Sequence, residues 1–573
     1  MQREIVRECK LRGLVLRADA AQALARIVDQ EADPSGVMRS VIDTVRKRIE
    51  RGETRSRAVD AETVQAAFGE YFAERQPAGD ADAAQSGGFV LDAWSTPKLA
   101  FDGSARKFWL EPCGDSLRSL GSVGDARSAA LRARYELAWQ RVVRHPMFAA
   151  RGAKDRAKAR ESVELSRLDR LRGSGGARVC VLGVLAQVEQ DVMYLEDPNS
   201  LIRCDLSNAR TYGGYFCEGM IVVAEGAIDG DGAFVVDSLG HPPPETRAHA
   251  MRAIGGDALD VFGQAVRDSH RDVPPAVAQL TTWLIIAEPH LDAPLTLGRL
   301  RSLFSALAVP ALRRALAAGV PKSQPTLTVV LLGDFLSPRA LGKGAASAMR
   351  DARQRFAELG DLITAREFDV DGGESLASLA QFVFIPGPND FVAGPKMLPR
   401  PKLATFVVEP LLEKLRERGA RVEFSTSPAR LRFGDREIVL HRDDALRKLR
   451  RLSAKVVPDA ALRENFPLDA TSQDVSQDAP ESLDAHEHLA KTLLDQAHLS
   501  PFAAHVSPTN WEHDHALRLY PPPDALAIAD ASAPQFDAVY EQCSVFNPGS
   551  FARDGAFVVF KPANCSVEAS QVP

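Results

Sequence analysis

The chain is poor in the cysteine patterning that metal and disulfide modules require. Its seven cysteines (Cys9, Cys113, Cys180, Cys204, Cys217, Cys543 and Cys565) include no Cys-x-x-Cys pair. That argues against a zinc ribbon within the chain and against a disulfide framework. The odd count suits a reducing compartment. No run of about 18 apolar residues exists, and Met1-Gln-Arg-Glu-Ile5 lacks the apolar stretch of a signal peptide, so a soluble intracellular protein is expected. There is no excess of positive charge: 70 Lys and Arg against 76 Asp and Glu give a net charge of −6. A chain that grips DNA by itself is usually more basic, so a protein partner is the first expectation. A phosphate loop is also missing, because Gly342-Lys-Gly344 has neither the spacing nor the following Ser or Thr, and nucleotide binding has no support.

What is present is enough apolar residue for several cores: 573 residues, 45% of them hydrophobic, predict two to four domains. Residues 1–75 read as a small all-helical domain, with Met38, Val41, Ile42, Val45 and Ile49 on one helix face. Residues 76–99 read as a flexible linker, because Gln76 to Gly88 is rich in Ala, Asp and Gly. Residues 100–174 are Arg-rich and read as a helical connecting segment, clearest over Ala129 to Val143. Residues 175–245 change character. Val179 to Val188, Tyr194 to Glu196, Ile202 to Leu206, Met220 to Gly226 and Phe234 to Val236 are short β-rich runs divided by turn residues, the pattern of a small barrel, for which an OB-fold is the natural candidate. Residues 255–573 alternate apolar strands with helices. Strands are predicted at Thr282 to Ala287, Thr326 to Leu332, Phe382 to Ile385, Val422 to Phe424 and Ala525 to Ala529, and helices at Arg299 to Ala318, Ala345 to Leu359 and Ala404 to Arg418, an α/β layered domain. Ala470 to Asp484 reads as a disordered surface loop. The basic clusters Lys154 to Arg160 and Arg447 to Lys455 read as solvated helix faces.

The most informative stretch is Phe382-Val-Phe-Ile-Pro-Gly-Pro-Asn-Asp390, followed by Leu398-Pro-Arg-Pro401. A buried strand ends in a Pro/Gly turn and delivers polar residues at its carboxyl edge, where open α/β sheets place their sites. The turn resembles that of calcineurin-type metallophosphoesterases, which carry Gly-Asn-His-Asp/Glu there. Gly387 and Asp390 fit, but Pro388 and Asn389 stand where the ligand Asn and the catalytic His belong. Such a site needs two metals to generate hydroxide and clamp phosphate. Glu288-Pro-His290 sits where the family's Asp-x-His would be, and Gly333-Asp334 matches its Gly-Asp. The final histidine motif is replaced by Asn547-Pro-Gly-Ser550. Pro388 cannot coordinate through a side chain, and Asn389 is no proton donor of the histidine type. The resemblance therefore implies degenerate positions at Glu288, His290, Asp334, Pro388, Asn389 and Asp390, with no catalytic residue, no metal and no cofactor.

Over its whole length the chain resembles the family of the second, or B, subunits of DNA polymerase epsilon. The motifs are Lys10-Leu-Arg-Gly-Leu-Val-Leu-Arg17, Tyr194-Leu-Glu-Asp-Pro198 with Cys204-Asp-Leu-Ser207, Val223-Ala-Glu-Gly226, the Phe382 to Asp390 turn, Leu398 to Pro401, Leu493-Leu-Asp-Gln-Ala-His-Leu-Ser-Pro501, Ala516-Leu-Arg-Leu-Tyr-Pro521 and Asn547-Pro-Gly-Ser-Phe551. The resemblance implies an α+β multidomain chain: an N-terminal all-α helical domain, an OB-fold β-barrel and a C-terminal calcineurin-like phosphodiesterase α/β sandwich that has lost its activity. It implies a non-catalytic scaffold subunit in the nucleus that holds the zinc-bearing C-terminal module of the polymerase's catalytic chain. The helical domain would contact the GINS part of the replicative helicase, and the small histone-fold subunits of the holoenzyme would be reached indirectly. DNA would be bound weakly at most. Zinc residing in the partner agrees with the missing cysteine pairs. The alternatives are an active metal-dependent phosphodiesterase with a nucleic-acid-binding OB-fold, and a B subunit of polymerase alpha or delta.

The remaining histidines offer weaker constellations. His513 and His515 read as packing or surface residues, His486 and His488 as solvated, and His498 as a structural core or interface residue, with a leftover metal ligand as its less favoured alternative. The barrel's aromatics, Tyr194 and Phe234, have acidic neighbours, which favours a protein surface over single-stranded nucleic acid. The rigid turns Leu398 to Pro401 and Asn547 to Phe551 either present fixed surfaces to a partner or shape the fold.

Overall fold

The computed structural model describes residues 89–111, 125–148, 164–256, 273–454 and 484–572, apart from 104, 174–175, 212, 343 and 371–372, with scattered residues of 5–64, 259, 261 and 457–458. The Lys154 to Arg160 cluster and the Ala470 to Asp484 loop, except Asp484 itself, lie outside the described residues. So does most of the N-terminal unit. There Ile5, Cys9, Leu24, Met38, Val41, Ile42, Val45 and Val64 are buried in one cluster. The expected all-helical character needs amendment, because Val15–Leu16 pairs in parallel with Ala58–Val59.

Five strands close into a barrel: Val179–Glu189, Val192–Glu196, Leu201–Asp205, Ile221–Ile228 and Phe234–Gly240. In spatial order they run first, second, third, fifth, fourth and back to the first, with the third and fifth parallel. This is OB-fold topology, and all five predicted runs supply a strand. Alternate residues Val181, Leu185, Leu195, Cys204, Val222, Ala224, Phe234 and Val236 fill the interior, as period-two strands require.

The C-terminal region is a four-layer sandwich of two six-stranded sheets between helices. The first sheet is ordered Arg421–Phe424, Gln381–Ile385, Leu327–Leu332, Thr282–Ala287, Ala556–Lys561, Ser566–Gln571. The first four strands are parallel to one another. The second is ordered Phe536–Tyr540, Cys543–Asn547, Ala525–Ala529, Arg436–Arg442, Ala429–Phe433, Phe89–Asp92. The alternation of one strand explains the layering. Trp283, Ile285 and Ala287 face the second sheet, while Leu284 and Ile286 face the helices Ala345–Ile363 and Thr405–Glu417. Helices Ala445–Leu452 and Ala485–Asp495 cover the other side of the second sheet.

Three boundaries differ from the sequence reading. Within the span read as a linker, 76–99, residues 76–88 lie outside the described residues, while Phe89–Asp92 pairs antiparallel with Ala429–Phe433 and completes the sandwich. The sandwich therefore is not confined to 255–573. The segment 100–174 is not simply helical: Lys98–Asp102 and Lys107–Glu111 form a hairpin before the helix Ala126–Arg144. Strands at Ala429–Phe433, Arg436–Arg442, Cys543–Asn547, Ala556–Lys561 and Ser566–Gln571 were not anticipated: Ala429–Phe433, Cys543–Asn547 and Ser566–Gln571 lack the continuous apolar runs of buried parallel strands, whereas Ile438-Val-Leu440 and Ala556 to Phe560 carry an apolar run that the sequence reading passed over.

Helix Ala126–Arg144 joins barrel to sandwich. Its Tyr135, Ala138 and Val142 pack on barrel residues Leu182 and Ile221, and the Tyr135 hydroxyl donates to the Leu182 carbonyl at 3.1 Å. On its other side, buried Arg134 donates through Nε to Asp514 at 3.0 Å. Asp514 also lies 3.3 Å from His498 Nε2 and 3.4 Å from Arg518 Nη2. Arg141 donates to the Asp495 carbonyl, and Arg144 grips Glu245 with two bonds of 2.8 and 2.9 Å. An Asp buried among two guanidiniums stays ionised: burial would raise its pKa, but Arg134, His498 and Arg518 hold it well below the ordinary range.

Among the buried histidines of the sandwich and junction, four are held below the ordinary range. Burial pushes His498 down to about 4, His441 and His515 to about 3, and His241 well below its ordinary value. Their folded pKa values lie below the unfolded value near 6.5. Stability from these groups is therefore present above pH 6.5 and lost as pH falls towards their folded values, about 4 for His498 and about 3 for His441 and His515, at up to about 1.4 kcal/mol per pH unit for each. The urea midpoint of the full chain is expected to fall steadily from pH 7 to pH 5. A flat profile over that interval would show that these histidines are not buried neutral.

Candidate functional site

The carboxyl ends of both sheets meet at one rim. Thr282–Ala287 delivers Glu288 and His290, Leu327–Leu332 delivers Gly333 and Asp334, and Gln381–Ile385 delivers Gly387, Pro388, Asn389 and Asp390. The fold thus brings the positions singled out in the sequence to one place. The second sheet contributes Arg442 at the end of Arg436–Arg442, then Asp443 and Asp444, Asp530 after Ala525–Ala529, and Asn547 at the end of Cys543–Asn547.

The first-sheet loops touch at backbone distance. A Cβ on Gly333 would lie 1.9 Å from Asp390 Oδ2, and one on Gly387 would lie 2.2 Å from Asp334 Oδ1, so neither position accepts a side chain. Asp390 accepts from the Phe335 and Gly387 amides, each at 2.8 Å. Asp334 accepts from the Asn389 amide at 2.9 Å and from its side-chain Nδ2 at 2.8 Å. Glu288 and His290 hold φ of 49° and 34°, a left-handed conformation that costs about 1 kcal/mol or more per residue. It is kept by Glu288 N donating to Leu332 O at 2.9 Å, Ala552 N donating to Glu288 O at 3.1 Å and His290 N donating to Asp334 O at 3.3 Å.

The residue that sequence reasoning missed is Arg442. It is 1% exposed at the side chain, and its guanidinium lies among the carboxylates. Nη2 donates to Glu288 Oε1 at 2.7 Å and lies 3.6 Å from Asp334 Oδ2; Nε donates to Gly333 O at 2.8 Å; Nη1 donates to Asp444 Oδ1 at 2.6 Å and Ala529 O at 3.2 Å. Burial would lower its pKa, but Asp334, Asp444 and Glu288 more than offset that and raise it. An Arg closing the apolar run Ile438-Val-Leu440 and followed by Asp443-Asp444 was the available signal, since a buried strand end holds a charge only when paired.

These geometries leave little for a metal. Of the would-be ligands, Asp334 is engaged by Asn389 and Asp390 by two amides, while Glu288 pairs with Arg442. Among the described residues no group of three or more His, Cys, Asp or Glu is arranged to hold an ion. Asn547, in the place of the final histidine motif, is consumed by backbone. Its Nδ2 donates to the carbonyls of Asp530, Ala533 and Pro534 at 2.9, 3.2 and 2.9 Å, and its Oδ1 accepts from Gly549 N at 3.2 Å.

The other singled-out residues divide. His498 is a core residue, its Nδ1 accepting from Ser500 N at 3.0 Å. His513 and His515 are buried packing residues: His513 meets Trp94 edge-on at 4.5 Å and His515 Nε2 lies 3.1 Å from Thr96 O. His486 and His488 are not simply solvated, since His486 stacks on Phe536 at 5.0 Å and His488 Nδ1 accepts from Gly214 N at 2.7 Å. The turn Leu398 to Pro401 is buried, with Arg400 donating to Asp443 at 2.9 Å; residues 547–551 are buried too. Both turns shape the fold rather than presenting surface. On the barrel, Tyr194 donates its hydroxyl to Glu189 at 3.1 Å.

Comparison with known proteins adds two family matches. Residues 124–243 match the model described as DNA polymerase epsilon subunit 2-like, OB-fold domain, and residues 283–538 match that of the DNA polymerase alpha/epsilon B subunit. The first match starts at the joining helix, consistent with its packing on the barrel. The DNA polymerase epsilon B subunit of Arabidopsis thaliana is 30% identical over 577 residues, covering 99% of this chain and 98% of that protein. DNA polymerase epsilon subunit 2 of Bos taurus is 29% identical, over 98% and 97%, and that of Homo sapiens 28%, over 98% and 97%.

Burial and the neighbouring Asp334 raise the Asp390 pKa to about 7, against the amides of Gly387 and Phe335 and the Arg442 charge. The folded value exceeds the unfolded one, so the stability Asp390 contributes is fully present below about pH 4 and lost as pH rises through 7. Asp334→Asn removes the repelling charge and is expected to flatten the decline in melting temperature between pH 6 and pH 8. An unchanged slope would show that Asp390 does not titrate there.

Proposed function

The chain belongs to the B-subunit family of DNA polymerase epsilon, and on that premise we propose that it is a non-catalytic scaffold subunit of the polymerase. In this reading it binds the zinc-bearing C-terminal module of the catalytic chain and acts in DNA replication in the nucleus. Its N-terminal helical unit links the assembly to GINS and the replicative helicase, and the histone-fold subunits are met indirectly.

The observation that carries the reading is Arg442. A calcineurin-like phosphoesterase places two cations at this rim to activate water and clamp phosphate. A guanidinium paired with Glu288, Gly333 and Asp444 supplies positive charge there but no open coordination position and no way to lower the pKa of water as a metal does. Pro388 and Asn389 supply neither a ligand nor a proton donor at the turn. The rim is in this view an inherited framework that holds two sheets together. The acidic setting of Tyr194 and the chain's net charge of −6 support a protein partner for the barrel over single-stranded DNA.

Co-expression with the C-terminal zinc module of the same organism's catalytic chain tests the partner. Co-elution at one-to-one stoichiometry is expected, and it should persist when residues 1–75 are removed, because that unit is assigned to the helicase side. Two folded proteins that fail to co-elute would end the scaffold reading. In parallel, the full chain is expected to release no product from a phosphodiester substrate with manganese. Manganese-dependent hydrolysis abolished by Asp334→Ala would favour the phosphodiesterase alternative.

A further inference from the structure

The acceptors around Arg442 form a cradle whose size and shape select one kind of cation. A guanidinium offers five N–H donors in a fixed planar fork. Here five acceptors face it: Glu288 Oε1, Asp334 Oδ2, Asp444 Oδ1, Gly333 O and Ala529 O. The first two and Gly333 belong to first-sheet loops, while Asp444 and Ala529 belong to the second sheet. The five N···O separations run from 2.6 to 3.6 Å, and with a C–N bond of about 1.3 Å and a C–N···O angle of about 120° the acceptors stand roughly 3.5–4.4 Å from the ion's centre. Divalent cations draw oxygen ligands to about 2.0–2.6 Å. The ring is too wide for a metal by about an ångström or more. It cannot collapse freely, because Asp334 is also held by Asn389 and Glu288 by its backbone bonds to Leu332 and Ala552.

We propose that this rim is a guanidinium-binding site closed to divalent metal, with the Arg442 side chain as its built-in ligand joining the two sheets. The inference rests on the reading that phosphoesterase chemistry is absent, and it adds what replaced the metals and which ligand class the cradle takes. Excising the side chain should therefore leave a site that free guanidinium enters.

The test uses the full chain carrying Arg442→Ala. Its melting temperature is expected to fall by roughly 10 °C, as for other buried ion pairs broken on one side. Guanidinium chloride at tens of millimolar should recover a substantial part of that loss, with no gain in the native chain and none from sodium chloride at equal concentration. Manganese at millimolar concentration should recover nothing. Recovery by manganese would overturn the proposal in favour of a latent metal cradle. A folded variant that neither cation stabilises would overturn it as well. Should Arg442→Ala fail to fold, Arg442→Lys decides. Lysine keeps the charge but cannot reach the acceptors of both sheets as the fork does, so a fall in melting temperature of several degrees from the native chain is expected, and stability equal to the native chain would overturn the fork-matching claim. Hydrolysis by the native chain would refute the non-catalytic reading while leaving the rescue experiment to stand or fall by itself.

Discussion

A charge buried between two sheets must be matched on every side, and the Arg442 guanidinium meets that constraint. Its partners come from Glu288 and Gly333 on one sheet, and from Asp444 and Ala529 on the other. The hydrophobic interior between Trp283, Ile285, Val330 and Leu440, Ala527, Phe546 holds the sheets face to face but is non-directional. The guanidinium fixes register at the rim. It also explains why left-handed Glu288 and His290 persist: their loops are pinned by a fixed partner across the sandwich. The same rim that crowds three carboxylates together keeps them tolerable by placing one permanent cation among them.

The second rigid element is the junction at Asp514. Arg134 from the joining helix reaches into the sandwich and meets an acid already flanked by Arg518 and His498. Because the same helix buries Tyr135, Ala138 and Val142 against the barrel, barrel and sandwich share one apolar and one ionic seam. A partner that contacts either one meets a surface held in fixed relation to the other.

Much of this was legible in the chain. The barrel strands were readable because Gly, Asp and Asn punctuate short β-rich runs, and the first sheet because Trp283 to Ala287 and Val329 to Leu332 are continuously apolar, as strands buried on both faces tend to be. Gly387 and Asp390 marked the site because a turn at a strand end exposes its chemistry locally. Arg442 did not, since its partner Gly333 lies 109 positions away and only the tertiary approach of the second sheet makes it a ligand. Asn547 was read as a lost histidine, and its actual work, tying the 530–534 backbone, depends on a loop with no local signature. The strand Phe89–Asp92 escaped notice because four residues after a low-complexity stretch carry too little pattern to declare a partner in a distant sheet.

That short strand has a consequence for biosynthesis. It is made before the barrel, yet the strand it pairs with, Ala429–Phe433, comes long after it; Ala93 donates to Thr426 across 333 positions. At about 5–20 residues per second, the nascent segment waits roughly 20 to 70 s for its neighbour to be translated. The barrel can close in that interval, because its five strands lie in one stretch of chain, whereas the sandwich cannot seal its far edge until most of the protein has left the ribosome. Folding is thus vectorial for one domain and retrospective for the other, and the interval is when the unpaired edge of the larger domain is most open to the wrong strand.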